Sequence, residues 1–356
     1  MKKRLLFCSY DLNIGGIENA LINLLNNMDY SKYDITLILE KKEGVFLDKL
    51  NSNVHVKEYK VSSCKNIIFR KLYNFIKRIV WIVLNYHRYD FSCCYATYSL
   101  PCNVLAFYGS KNNLFYIHSN YKYIYDEKEL RNFFDLRRIS FFKHIAFVSN
   151  ESRSDLIKFY PDIADKSVVI NNLIDYNKVL DLSKEKVEFN KKTKYLFIFV
   201  GRLEEHSKRL SRMISVIKKL PDVSLLIVGD GPERDMYKDM IGNCSRITMV
   251  GAKKNPYSYM NLADYVVLSS DYEGFPVVYS EAIILGKKII STIDVSDDFI
   301  SIPNRFGYIV SKNEDEMLSN IKKILEDDKL IVENIDFSKL NKLKIKKIED
   351  IIDEVI

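Results

Sequence analysis

Apolar runs of four to eight residues alternate with stretches of helical spacing along almost the whole chain. Lys3–Tyr10 predicts a strand, Gly15-Gly16 a turn, and Ile17–Met28 a helix with Ile17, Ala20, Leu21, Leu24, Leu25 and Met28 on one face. Strands are expected at Asp34–Glu40, Val54–Tyr59, Phe91–Ala96, Asn113–His118, His144–Ser149 and Ser167–Ile170. Helices are expected at Asn66–Tyr86, Pro101–Tyr108, Glu127–Ser140 and Glu151–Tyr160. Strand, turn and helix in steady repetition predict an α/β domain with a mostly parallel sheet covered on both faces.

Residues 173–193 are polar, rich in lysine and without a clear period, and read as a linker. The alternation then restarts. Strands are expected at Tyr195–Val200, Ser224–Val228, Ile247–Val250, Tyr265–Leu268, Lys288–Ser291 and Tyr308–Val310. The helices between them are Lys208–Leu220, Pro232–Ile241, Pro256–Asn261 and Glu314–Asp327. The expected organisation is one Rossmann-like domain at 1–172, a second at 194–335, and a helical tail at 336–356 returning to the first. Two such halves in tandem face a ligand cleft with the carboxyl ends of their strands.

The net charge of +7 sharpens this picture because it is uneven. Residues 1–172 carry 25 Lys and Arg against 17 Asp and Glu, and the remainder carries 29 against 30. An excess confined to the N-terminal half points to an anionic partner. Within it, residues 65–88 hold Lys65, Arg70, Lys71, Lys77, Arg78 and Arg88 among many apolar residues and Trp81, with no acidic residue. A basic helix with an apolar face can lie on an anionic membrane surface. The plainer alternative is a core-facing helix with a solvated basic face. No nucleic-acid motif appears. The six cysteines form no CxxC pair and read as small buried hydrophobes, neither a disulfide framework nor a zinc site. No window reaches the ~18 apolar residues of a membrane span, and the first apolar run is too short for a signal peptide. The expected location is the cytoplasm, peripherally associated with the inner face of the cell membrane.

Candidate chemistry concentrates in Ser269–Gly286, SSDYEGFPVVYSEAIILG, which follows the strand ending at Leu268. Gly274, Phe275 and Pro276 make a turn, and a helix begins near Val277. Glu273 and Glu281 flank this junction with seven residues between them. A helix start after a parallel strand attracts anions, whereas carboxylates accept hydrogen bonds from sugar hydroxyls. Together they suit a sugar nucleotide. A first-turn glutamate also simply complements the helix dipole. In the same half, Gly201-Arg202-Leu203 with Lys208 follows a strand. Arg and Lys there suit a diphosphate, and a solvated helix face is the alternative. Val228 to Glu233, VGDGPE, is a glycine turn that by itself marks only a βα junction; Gly231 lies within it. Val250 to Pro256, VGAKKNP, is a loop containing Asn255. In the first half, Gly15-Gly16-Ile17-Glu18 opens a helix directly after a strand, His118 ends a strand, and Ser149 precedes a helix. A lone histidine is more often structural.

The order GRL…K, GDGPE and E-x7-E resembles the signature of family 4 glycosyltransferases, over roughly Lys3 to Val310. The resemblance implies the GT-B fold and a retaining transfer from a nucleotide-diphosphate sugar, expected to be a UDP-sugar, onto a lipid-linked saccharide in polysaccharide biosynthesis. It implies that Arg202 and Lys208 hold the donor diphosphate, Glu281 the ribose, and Glu273 with His118 the donor sugar. Gly15, Gly16, Gly231, Asn255, Gly274, Phe275, Pro276 and Val277 then belong to the donor site. Glu18 and Ser149 belong to the acceptor side. No metal and no other cofactor is expected, since cations and a helix N-terminus replace one. One departure stands out: the family usually has glycine after the lysine, and this chain has Arg209. A sugar-nucleotide epimerase shares the architecture, and a catalytically silent partner subunit is the alternative from another class. A dehydrogenase is disfavoured, because no GxGxxG follows a strand.

Overall fold

The computed structural model describes residues 1–13, 15–294 and 302–354, and divides into two compact units. The first comprises 1–173 and the residues from Leu340 onward; the second comprises 174–339.

The first unit runs β1 (Lys3–Ser9), α1 (Gly16–Asn26), β2 (Tyr33–Leu39), β3 (His55–Glu58), α2 (Ile67–Asn85), β4 (Phe91–Cys94), α3 (Leu100–Gly109), β5 (Asn113–Ile117), α4 (Glu127–Leu136), β6 (His144–Phe147), α5 (Asn150–Ile157) and β7 (Ser167–Val169). Its seven strands are parallel, in the order β3-β2-β1-β4-β5-β6-β7. Central strands such as FSCC in β4 are buried throughout. That continuous burial explains why their apolar runs do not alternate with polar residues.

The second unit runs α6 (Tyr176–Ser183), β8 (Tyr195–Val200), α7 (Glu205–Lys208), α8 (Leu210–Lys218), β9 (Val223–Val228), α9 (Arg234–Ile241), β10 (Ile247–Gly251), α10 (Tyr257–Leu262), β11 (Tyr265–Leu268), α11 (Val277–Ile284), β12 (Lys288–Ser291), β13 (Gly307–Ile309) and α12 (Glu314–Glu326). Its six parallel strands run β10-β9-β8-β11-β12-β13. Two tandem Rossmann-like units of this kind are the GT-B architecture. In each sheet the strand order reverses beside the unit's first strand, between β1 and β4 and between β8 and β11. Ligands of open α/β sheets bind outside the carboxyl ends of strands at such a reversal.

Two details differ from the pattern-based expectation. The stretch 173–193 is not a bare linker. It carries α6, which Asp175 caps through a bond from the Lys178 amide. The expected helix Lys208–Leu220 is broken at Arg209, which takes a left-handed φ of 48° between α7 and α8. That is the place where the family usually has glycine, and the left-handed conformation is the one glycine adopts without cost. Beyond α12, helix α13 (Phe337–Asp353) ends in the first unit. There Asn112 Nδ2 donates to the Ile351 and Ile352 carbonyls, and Lys3 and Lys143 pair with Asp353 and Glu354. The last two residues of the expected tail, 355–356, lie outside the described residues.

Candidate active site

In the second unit the two loops at the strand reversal meet. Lys208, at the end of α7, places Nζ 2.6 Å from Glu273 Oε1 in the β11–α11 turn. Ser270 Oγ donates to the same oxygen at 2.6 Å. A short, half-buried pair of this kind holds both groups in place. Beside it, Asp271 gathers Arg209 Nε at 2.6 Å and Arg212 Nη1 at 2.7 Å, and its carboxyl is held below the ordinary range against a desolvation cost. Arg212 also reaches the Ser269 carbonyl, and Ser269 Oγ donates to the Lys208 carbonyl at 3.1 Å. The E-x7-E turn and the GRL…K loop are thus one stitched surface. Arg202 stands exposed on it, with no ion pair or side-chain hydrogen bond among the described residues.

Glu281 sits in α11 and is buried, its Oε1 accepting from Tyr257 OH at 3.1 Å. Burial pushes its carboxyl up to about 7, with the Tyr257 bond and Lys178 opposing. The two carboxylates therefore differ: Glu273 is paired with a cation, whereas Glu281 lies in a place that disfavours charge, with the Tyr257 hydroxyl as its hydrogen-bond donor. No side chain caps α11, whose first turn follows Gly274, the buried Phe275 and Pro276. Val277 is its first residue.

The GDGPE turn has a tighter role than its sequence implies. A Cβ on Gly231 would stand 2.2 Å from the Leu203 carbonyl oxygen, and one on Gly229 would stand 1.8 Å from that of Gly201. The Leu203 amide donates to the Asp230 carbonyl at 3.0 Å. Here glycine lets one βα loop lie against another. Asn255 likewise has a packing role: Nδ2 donates to Leu182 O and Glu185 Oε2, each at 2.8 Å, tying the loop to the end of α6.

In the first unit, Gly15 precedes α1 in extended backbone, and the Glu18 carboxylate folds back over it. Gly16 has open space where a side chain would be. Burial and the nearby Asp11 raise the Glu18 pKa, while Tyr98 OH, 3.4 Å away, opposes. His118 follows β5 and is 8% exposed. Its ring stacks on Tyr116 at 4.6 Å and packs on Tyr95 at 4.3 Å. Neither ring nitrogen makes a well-formed hydrogen bond among the described residues, and burial pushes the pKa down to about 3 against a weak opposing contact with the Tyr95 backbone. It is a neutral imidazole with unused polar atoms, suited to hydrogen bonding rather than to carrying charge. Ser149 is engaged: its Oγ caps α5 by accepting from the Ser152 amide at 3.2 Å.

Sequence reasoning missed Tyr257, Ser270, Asp271 and Arg212. Ser270 and Asp271 lie inside the conspicuous stretch. Tyr257 and Arg212 are brought in only by the sheet order. Among the described residues no group of three or more His, Cys, Asp or Glu is placed to hold a metal ion.

Two family models match adjacent parts of the chain: Glycosyltransferase Family 4 over residues 14–178 and Glycosyl transferases group 1 over 182–338. The chain belongs to the family 4 glycosyltransferases. Among curated relatives, the O-antigen biosynthesis glycosyltransferase WbnH of Escherichia coli is 32% identical over 169 residues, 46% of this chain and 49% of that protein. A Campylobacter jejuni enzyme, N-acetylgalactosamine-N,N'-diacetylbacillosaminyl-diphospho-undecaprenol 4-alpha-N-acetylgalactosaminyltransferase, is 25% identical over 51% of this chain and 50% of that one. The chain spans about half the length of the curated relatives it matches. Among solved structures, Anabaena HepE in complex with UDP and glucose aligns with a TM-score of 0.76 at 18% identity, covering 98% of this chain and 99% of that one. The lipopolysaccharide glycosyltransferase WaaG aligns with a TM-score of 0.67 at 14% identity, covering 98% and 99%. At these identities the likeness concerns the fold. The family 4 chain here has that fold with its lysine, both glutamates and the GRL loop in place.

Proposed function

We propose that this family 4 member is a retaining glycosyltransferase. It moves a sugar from a UDP-sugar to a lipid-linked saccharide in the building of a bacterial surface polysaccharide. The observation that carries this is the second unit's stitched loop pair, with Lys208 and Glu273 2.6 Å apart beside the exposed Arg202. When a diphosphate arrives, Lys208 turns from Glu273 to the phosphate oxygens, and Arg202 joins it. The two cations and the uncapped start of α11 stabilise charge growing on the leaving UDP. Glu273, released, accepts from hydroxyls of the donor sugar. Glu281 accepts from the ribose hydroxyls, and Tyr257 orients it. The backbone at Gly231, Asn255 and Gly274 to Val277 borders the nucleotide in this assignment. In the first unit, His118 offers a neutral hydrogen bond to a sugar hydroxyl. Gly16 leaves open space at the start of α1, Gly15 admits the folded-back Glu18 carboxylate, and Glu18 and Ser149 are assigned to the acceptor side. No resident metal takes part in this scheme.

Support for the nucleotide comes from HepE, whose structures hold UDP and UDP-glucose. Support for the acceptor class comes from the Campylobacter relative, whose name specifies a diphospho-undecaprenol acceptor. Among the described residues no helix is long and apolar enough to cross a membrane. Contact with an anionic membrane surface is assigned to the basic segment 65–88, on the cytoplasmic face. The test is transfer from a panel of UDP-sugars to polyprenyl-diphosphate saccharides in chelator, with product anomers assigned by NMR. Transfer with retention supports the proposal; inversion, or a strict metal requirement, overturns its mechanism.

A further inference from the structure

The basic segment 65–88 forms α2, and α2 is turned opposite to an ordinary crossover helix. Its apolar residues recur at helical spacing, yet they face solvent: Ile68 is 77% exposed and Val83 73%, with Leu72, Phe75, Ile76 and Ile79 also exposed. None of its residues is buried. The polar side faces the protein. Asn74 Oδ1 accepts from the Ser62 amide at 2.8 Å, and Lys77 Nζ donates to the Lys60 carbonyl at 2.7 Å, over the Tyr59 ring. Trp81, expected on a membrane-facing side, instead packs against the core. The alternative of a core-facing helix with a solvated basic face does not hold.

The apolar surface continues past the helix. Tyr86, at its end, lies 6.4 Å from the Tyr108 ring, and the Tyr108 hydroxyl accepts from Arg138 Nη1 at 3.3 Å. Arg138 adopts a left-handed φ of 54°, turning the chain so that Leu136 and Phe141 project; Phe141 is 74% exposed. We infer that α2 and the Leu136–Phe141 turn form one bilayer-inserting face, both elements entering the boundary between headgroups and acyl chains of an anionic membrane. This rests on the reading of the chain as a membrane-surface enzyme, and deepens it from electrostatic adsorption to insertion at two named places.

Charge selects lipid over a second copy of the chain. Lys65, Lys71 and Arg88 are exposed around the face, with Lys111 and Arg138 near its far end. The neighbouring acids are engaged elsewhere: Asp90 with Arg4, Glu354 with Lys143, and Asp135 with Tyr160. A second copy would bring the same cations against these, whereas anionic headgroups neutralise them. At about 28 Å, a 19-residue helix lying in the interface offers a long apolar strip.

Flotation of the full chain with vesicles of phosphatidylglycerol and phosphatidylcholine tests this, with UDP calorimetry run in parallel. The wild type is expected to float and to keep part of its binding at near-molar salt, because insertion is not screened. Ile76→Asp with Val83→Asp should lower partitioning about tenfold or more, and Phe141→Asp by a smaller factor, with UDP binding unchanged. Flotation by all variants equal to wild type overturns the inference. So does loss of all wild-type binding at high salt, or a stable dimer that the Asp pair dissolves. Failure of the wild type to bind UDP, with flotation as expected, removes the enzyme reading and leaves the membrane face standing.

Discussion

The loops after β1 and β8 occupy the same place in their respective sheets, and the chain gives them opposite chemistry. After β1, two glycines lead to Glu18, whose carboxyl is raised by burial and by Asp11. After β8, Gly201 leads to Arg202 and, on α7, to Lys208 bonded to Glu273. The parallel sheet and its strand reversal supply the place; side chains decide what is held there. The second unit restrains Lys208, Arg209 and Arg212 through Glu273 and Asp271, an arrangement that suits an anionic ligand. The first unit offers neutral or protonatable groups, Glu18 and His118, which suit hydroxyls. A transferase needs this division.

The largest effect should come from the cationic side. Lys208→Ala removes the cation and leaves Glu273 without it. UDP release from UDP-glucose or UDP-N-acetylgalactosamine, whichever is turned over, should fall by about a hundredfold or more, with the circular dichroism spectrum unchanged. Next is Glu281→Ala, expected to weaken UDP binding about ten- to a hundredfold through lost charge-assisted bonds to the ribose. The carboxyl titrates near 7, so UDP affinity of the wild type should rise as pH is raised through that value. Glu281→Gln should flatten the profile. For stability the sign is the reverse. The folded carboxyl binds its proton more tightly than the unfolded one, so this contribution is present in acid and is lost as pH rises from 4.5 through about 7.

Much of this contrast was legible in the sequence. The order of strands and helices, the two sheets and the E-x7-E turn follow from apolar period and turn residues. What stayed hidden depended on tertiary neighbours. Tyr257 is 24 residues from Glu281 in the chain, and the packing of α10 and α11 against α6 brings them together. Lysine-rich 173–193 concealed α6, because the helix stabilises itself by packing rather than by a strong period of its own. The apolar face of α2 was visible, but no local rule says whether such a face turns inward. The glycines of GDGPE read as a plain βα turn, and their contact with the 201–203 backbone shows only in three dimensions.

Smaller effects sharpen the comparison further. Gly231→Ala should cost about 1–3 kcal/mol of stability in chemical denaturation, because its Cβ meets backbone that cannot move freely. His118→Asn should change acid stability. The wild-type imidazole is neutral when folded and has an ordinary value of 6.5 when unfolded, so its contribution is lost as pH falls from 6.5 toward about 3. The variant's acid limb should be shallower over that window. Arg209→Gly relieves a left-handed residue and removes the Asp271 bond, so its net effect should stay within about 1 kcal/mol.

The most direct test of the central claim is calorimetric titration of the purified chain with UDP in chelator, beside GDP, ADP and NAD, repeated on Lys208→Ala. Preferential binding of UDP without metal, abolished or reduced at least about tenfold by the substitution, is the predicted result. No nucleotide binding, or UDP binding that ignores Lys208→Ala, would contradict a donor site built on the second unit's loops.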